Sequence, residues 1–256
     1  MTHPWIAPGA MLGVLGGGQL ARMWSHAAQQ LGYRTAVLDP DPQSPAGLIS
    51  HLHIASPYLD AQGLSQLASQ CAAVTTEFEN VPAQALARLQ ADTLVSPAPE
   101  AVRVAQDRAL EKAHFVGCGV PVAPHAVIEN TQALTSVPDH LLPGILKTTR
   151  LGYDGKGQVR VRTRDELTAA FAALHTGDTP VVCILEQQLP LAAECSVVLA
   201  RGHDGQCVHL PLQLNRHRDG ILAVTEVWAN ALPEHTTQQA LHAAQQIAAS
   251  LHYVGV

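Results

Sequence analysis

The chain has 256 residues, 47% hydrophobic and 14% charged, enough for one large or two ordinary cores. Its net charge of −6 excludes a broad surface for nucleic acid or an anionic membrane, so an anionic ligand must be held by local cations and backbone dipoles. Five scattered cysteines without a CxxC pair fit reduced, buried thiols in a cytoplasm, and fourteen histidines without HExxH-like spacing give no metal ligands.

The N-terminal apolar run is broken by glycines and lacks a basic start, so it reads as neither a signal peptide nor a membrane span. Met11–Leu15 reads as a buried strand, and Gln19–Leu31 as a helix with Leu20, Met23, Trp24, Ala27 and Leu31 at helical spacing. Thr35–Leu38, a short run near Ile54, Ala72–Thr76 and Thr93–Val95 read as further strands, with helices over Asp60–Ser69 and Pro82–Leu89. This alternation predicts a parallel sheet covered on both faces, with ligands at the carboxyl ends of its strands. A single helical stretch is predicted over 99–117, then a loop or weak helix over Asn130–Pro143. Residues 144–187 read strand, glycine loop, strand, helix (Asp165–His175), strand. An antiparallel meander is predicted from Glu194 to Trp228, and an amphipathic helix over Thr237–Leu251 with Leu241, Ala244, Ile247, Ala248 and Leu251 on one face. Tyr253–Val256 reads as the opening of a strand, from which a C-terminally truncated chain is expected.

Five segments carry chemistry. Lys147–Gln158, KTTRLGYDGKGQ, sets Gly152, Gly155 and Gly157 among Tyr153, Asp154 and Lys156 between two strands. Such a loop can close over phosphates, glycine amides approaching the oxygens and lysines neutralising them; a solvated hairpin turn is the other reading. Gly16–Ala21 fits G-x-G-x-x-[GA] at a helix start, with Asp39 in the ribose position of a dinucleotide fold, so the anion is either a pyrophosphate or a sugar phosphate. Glu77, Glu79 and Asn80 lie at a strand end, where alternation puts the two carboxylates on one face; a helix-capping set is the alternative. Glu186 closes an apolar strand and Glu194 begins the next, while Asn215–Gly220 gathers two arginines and a histidine at a turn, facing either phosphate or solvent.

Taken in order, LGGGQLARM, EFENVP, the DR…K helix, the GYDGKGQ loop, the E…E-S pair and the N-H-DGIL turn resemble the N5-carboxyaminoimidazole ribonucleotide synthetases, ATP-grasp ligases of purine biosynthesis. The resemblance runs from Leu12 to Val256 and implies an α/β fold: a Rossmann-like parallel-sheet domain (1–98), then an ATP-grasp domain (99–256) incomplete at its C-terminus. Within the latter it implies a lid subdomain over 121–186 and the start of a second subdomain over 187–256. It implies that Arg108, Lys147 and Gly152–Gln158 (Gly152, Tyr153, Asp154, Gly155, Lys156, Gly157, Gln158) hold the ATP phosphates. Glu186, Gln187, Gln188 and Leu189 would line the adenine pocket, with Glu194 on the ribose and His217 near the nucleotide. Gly18, Gln19 and Leu20 would face the phosphate of aminoimidazole ribonucleotide, with Glu77 and Asn80 nearby. Tyr153, Asp154 and Lys156 would act on bicarbonate and substrate. The implied cofactors are ATP and Mg²⁺, the latter held by a following segment that this chain lacks. The implied whole is a cytoplasmic homodimer, with small-molecule substrates and without nucleic acid or membrane.

Three rivals share parts of this pattern. Another ATP-grasp carboxylate–amine ligase, such as the formate-dependent glycinamide ribonucleotide transformylase, shares the architecture but not GGGQL or EFENVP. An NAD(P)-dependent oxidoreductase explains Gly16–Ala21 and Asp39 but not Lys147–Gln158. If this chain is the entire gene product, a nucleotide-binding fragment without turnover is expected.

Overall fold

In the computed structural model, the described residues are 5–152, 157–175, 181–218, 221–228 and 231–256. They fall into two units, one within Met1–Arg103, Arg201–Gln206 and Leu251–Gly255, the other within Val104–Ala200, Cys207–Ser250 and Val256.

The first unit is an all-parallel five-stranded sheet in the order β3-β2-β1-β4-β5. Its strands are β1 (Met11–Leu15), β2 (Arg34–Leu38), β3 (Leu52–Ile54), β4 (Ala73–Thr76) and β5 (Leu94–Val95), joined through α1 (Gln19–Gln30), α2 (Ala61–Gln70) and α3 (Ala83–Leu89). The predicted doubly covered sheet is therefore present. Leu15, Leu38, Leu67, Leu86 and Leu89 fill its core from strands and helices alike. Asp60 stops the chain before α2 by accepting the Gly63 amide at 2.6 Å, a side-chain N-cap.

Helix α1 corrects the expected apolar stripe. Leu20 (57%), Met23 (60%) and Leu31 (70%) are exposed, whereas Ala21, Ser25 and Ala28 are buried. The side that meets the sheet carries short side chains. Ala21 packs with Val14, Val37 and Ala46, beside a partly buried Trp24. Small residues let the helix backbone approach the strands closely, and the larger ones are left outside.

In the second unit, α4 (Pro99–Ala105, whose last two residues lie here) is separate from α5 (Arg108–Gly117). The single helix expected over 99–117 is broken because Asp107 adopts an extended backbone and accepts the Ala109 and Leu110 amides, starting a new helix. Asn130–Pro143, left open between loop and helix, contains two 3₁₀ turns, Thr131–Ser136 and Asp139–Leu141. A four-stranded antiparallel sheet follows in the order β6-β9-β7-β8: β6 (His125–Ile128), β7 (Gly144–Thr148), β8 (Gln158–Val161) and β9 (Cys183–Gln187). Helix α6 (Arg164–Leu174) packs Leu167 and Phe171 onto the face that carries Leu146 and Leu185.

In place of the expected continuous meander, β10 (Glu194–Ser196), β13 (Gln213–Arg218) and β14 (Ile221–Val227) form one antiparallel sheet, and the intervening β11 (Leu199–Arg201) and β12 (Cys207–His209) pair separately. Helix α7 (Glu234–Ser250) turns the predicted side inward, with Ala248 buried and Leu241, Ala244 and Ile247 half-buried. The expected final strand is reduced to one antiparallel bridge between Gly255 and Arg201. All five cysteines are free thiols, but only Cys71 and Cys183 are buried; Cys195 is exposed. Burial raises the thiol pKa to about 12 at Cys71 and to about 11 at Cys183, so both are inert at neutral pH. Among the described residues, no helix is long and apolar enough to cross a membrane.

Candidate active site

The second unit contains a cavity of about 540 Å³, floored by the outer face of β7, β8 and β9. Strand alternation decides which side chains reach it. Ile145 lies opposite both Glu186 and Arg160 in the sheet register, so these three share a face, and Lys147 lies two residues further along it. The intervening Leu146 and Leu185 point into the core and are fully buried. Lys147 therefore reaches Glu186 diagonally across the strands, its Nζ 3.0 Å from Oε2. A second ammonium, that of Lys112 on α5, stands 3.4 Å from Oε1 of the same carboxylate.

Burial alone would raise the Glu186 pKa, but Lys147 and Lys112 outweigh it and hold the carboxyl below its ordinary value. Next to Lys112 on α5, burial raises the carboxyl of Glu111 despite the surrounding Arg108, Lys112 and Lys147. The cavity floor thus carries Lys147 and an ionised Glu186 that is also held by Lys112 from α5, a charge cluster suited to a polyanion.

Past Glu186 the chain runs on as a fixed edge. The Gln187 amide donates to the Pro124 carbonyl at 2.9 Å and the Gln188 amide to the Pro143 carbonyl at 3.0 Å. Gln187, Gln188 and Leu189 line the cavity with Ala123, Leu191 and Ala193. Glu194 and Asn215 close it from β10 and β13. His217 pairs through Nδ1 with Glu194 Oε2. Asn215 is locked between Ser196 Oγ (2.6 Å) and Thr225 Oγ1 (3.1 Å).

Of the residues expected at the nucleotide, Lys147, Glu186, Gln187, Gln188, Leu189 and Glu194 line this one cavity, and His217 touches it through Glu194. Arg108 is placed differently. Its guanidinium donates to the Thr148 carbonyl (3.0 Å) and the Gly152 carbonyl (3.1 Å), tying α5 to the root of the glycine loop. At the other root, Gly157 has φ +70°, and a Cβ there would sit 2.8 Å from Thr148 Oγ1, so this position requires glycine. Gln158 pairs with Lys147 across β7 and β8. Tyr153, Asp154, Gly155 and Lys156 lie outside the described residues.

Sequence reasoning missed Arg160, and it singled out the segments of Lys112 and Asn215 without giving either residue a role. Lys112 was readable in principle, because it lies one helical turn after Arg108 on the same face.

The first unit offers a second place for an anion, at the carboxyl end of β1. Gly16 (φ +93°) and Gly17 are buried: a Cβ would lie 3.1 Å from the Phe78 ring at Gly16 and 2.4 Å from Ser44 Oγ at Gly17. Gly18 meets nothing within 4 Å, and it is exposed with Gln19 and Leu20. No side chain caps α1, so the helix start presents its first amides without intrahelical acceptors.

At the end of β4, Thr76 Oγ1 donates to the Leu15 and Phe78 carbonyls and turns the chain. The strand therefore stops before Glu77, and the expectation that alternation sets Glu77 and Glu79 on one face loses its basis. Asn80 gives its amide to Glu79 Oε1 at 3.2 Å. Burial raises the Glu77 carboxyl, and both burial and the charge of Glu77 raise the Tyr253 phenol. Asp39, the expected ribose acceptor of a dinucleotide enzyme, is turned inward: Oδ2 accepts the Gly17 amide and the Tyr58 hydroxyl, both at 2.7 Å.

A parallel-sheet unit with a glycine turn, followed by an antiparallel sheet that floors a polyanion pocket, defines an ATP-grasp protein. Family models agree, matching a ribonucleotide synthetase pre-ATP-grasp domain over residues 10–106 and an ATP-grasp domain over 113–256. Among curated relatives, the N5-carboxyaminoimidazole ribonucleotide synthase of Brucella melitensis is 39% identical over all of this chain and 70% of its own length. A Staphylococcus aureus N5-carboxyaminoimidazole synthetase solved with ADP superposes with a TM-score of 0.88 at 33% identity, over 98% of this chain and 65% of that one. The Aspergillus clavatus enzyme, solved with ADP and 5-aminoimidazole ribonucleotide, gives 0.81 at 28% identity, over 96% and 64%. The chain belongs to the N5-carboxyaminoimidazole ribonucleotide synthase family. It spans about two thirds of the length of these solved relatives.

Proposed function

We propose that the protein uses ATP to carboxylate the exocyclic amine of 5-aminoimidazole ribonucleotide with bicarbonate, in purine biosynthesis. The observation that carries this reading is the cavity floor, where Lys147 and Lys112 stand against Glu186 beside the fixed edge Gln187–Leu189. In this reading the edge takes the adenine, Glu194 the ribose, and Lys147 the phosphates. Bicarbonate oxygen attacks the γ-phosphorus and ADP leaves. The amine nitrogen then attacks the carbon of carboxyphosphate, phosphate leaves with the C–O electrons, and the nitrogen gives up one proton, which the departing phosphate can take. Tyr153, Asp154 and Lys156 are assigned to the bicarbonate and amine side of this step, and loop closure would keep water from carboxyphosphate. Gly18, Gln19 and Leu20 would take the ribonucleotide's phosphate, with Glu77 and Asn80 beside it.

A Mg²⁺ ion would offset charge on the transferring phosphoryl group. Among the described residues, no group of three or more His, Cys, Asp or Glu converges to hold a metal, so no step is assigned to one here. A cytoplasmic homodimer without nucleic acid belongs to the same proposal, and the net charge of −6 supports the absence of nucleic acid.

The test is a paired assay of phosphate release and carboxylated product. In the full-length protein, release from ATP that requires both bicarbonate and aminoimidazole ribonucleotide, with one product formed per phosphate, is expected. Release indifferent to aminoimidazole ribonucleotide would contradict the substrate assignment.

A further inference from the structure

We propose that Asp39 and Tyr58 are positioning residues that set the phosphate-binding geometry of the Gly16–Gly18 turn; this rests on the reading of that turn as the ribonucleotide's phosphate site. A turn of successive glycines has wide backbone freedom, and a ligand that orders it loses affinity accordingly. Here the turn is fixed in advance from three sides. The Gly16 amide donates to the Leu38 carbonyl at 3.0 Å, and the Gly17 carbonyl accepts from the Ala46 amide at 2.9 Å. The third tie is the side chain of Asp39, itself 8% exposed, which takes the inward-facing Gly17 amide at 2.7 Å. With that amide held, the Gly16–Gly17 peptide is fixed, while the Ala46 amide on the Gly17 carbonyl fixes the Gly17–Gly18 peptide, and together they keep the outward amides at the start of α1 in one orientation.

The position demands a carboxylate. Oδ2 accepts from Gly17 and Tyr58, and Oδ1 accepts from the Asp41 amide at 2.8 Å, so both oxygens face donors. An asparagine would turn its NH₂ against one of them. Tyr58 holds the carboxylate in place by donating to it, and burial, that hydrogen bond and the Asp39 charge together raise its phenol, so it remains a donor at neutral pH.

The test compares binding of aminoimidazole ribonucleotide and of its dephosphorylated riboside by calorimetry, using wild type, Asp39→Asn and Tyr58→Phe, with ATP as a control ligand. Asp39→Asn is expected to weaken the ribonucleotide about tenfold and Tyr58→Phe about threefold, with riboside and ATP affinities unchanged. If Asp39→Asn fails to fold, Tyr58→Phe decides by the same ratio. A variant that keeps the wild-type ratio of ribonucleotide to riboside affinity overturns the positioning role alone. A wild type that binds both equally removes the phosphate from the turn, and the proposal with it.

Discussion

The two anion sites proposed for this chain are built from opposite materials. In the first unit the donors are backbone amides, and side chains such as Asp39 act from behind. In the second the charges are side chains, Lys112 and Lys147 on Glu186, and the backbone acts from behind by strand register. A backbone site depends on what glycine permits; a side-chain site depends on which face alternation selects. The first should fail through shape and the second through charge, and the following changes are ordered by the size of effect that this contrast predicts.

Glu186→Ala takes from two largely buried ammonium groups the carboxylate they pair with, leaving only Glu111 nearby, and is expected to cost about 3 kcal/mol of stability. Chemical denaturation checks it, and a loss below about 1 kcal/mol would mean that solvent already screens the cluster. The pH dependence has a definite sign. Because the folded carboxyl is held below its ordinary value, the stability it contributes is complete above its unfolded pKa of about 4.3 and is lost as pH falls through the folded value. The stability gap between wild type and Glu186→Gln should therefore narrow below about pH 4.

Lys147→Ala removes one charge-assisted phosphate contact, worth roughly 1.5–3 kcal/mol, or on the order of ten- to a hundredfold in ATP affinity. ATP titration with unchanged affinity would take Lys147 out of the nucleotide site. Gly157→Ala combines a positive φ with a Cβ pressed on Thr148 Oγ1, and should cost about 1–2 kcal/mol without touching any charge. A neutral result in thermal denaturation would show that the loop root shifts freely. The smallest effect is expected on α1, where Met23→Ala should stay within about 0.5 kcal/mol because the side chain is exposed. A larger loss would restore the stripe that helical spacing suggested.

These cases also mark what the sequence made legible. The strands β1, β2 and β4 were readable because each is an apolar run closed by glycine or polar residues. The inner face of α1 was not, since hydrophobicity alone ranks Leu20 and Met23 above Ala21 and Ala28, and only close packing on Val14 and Val37 reverses the order. The break at Asp107 was written in the sequence as an N-cap signal, but helical residues on both sides obscured it. In the pocket, Lys147 and Glu186 were visible as polar residues ending apolar strands, whereas Arg160 becomes visible only once the register with Ile145 is known. Asp39 was visible as a strand-end carboxylate. That it serves Gly17 rather than a ligand depends on Tyr58, 19 residues further on, and sequence spacing carries no trace of that hydrogen bond.

In the proposed reading the two regions hold two different ligands. A crossed titration of ATP and aminoimidazole ribonucleotide into Lys147→Ala and Gly18→Asp tests it most directly, because Gly18 has open space for a side chain whose charge would repel a phosphate. The prediction is that Lys147→Ala loses ATP and keeps the ribonucleotide, while Gly18→Asp loses the ribonucleotide and keeps ATP. Equal weakening of both ligands by either substitution would contradict the division.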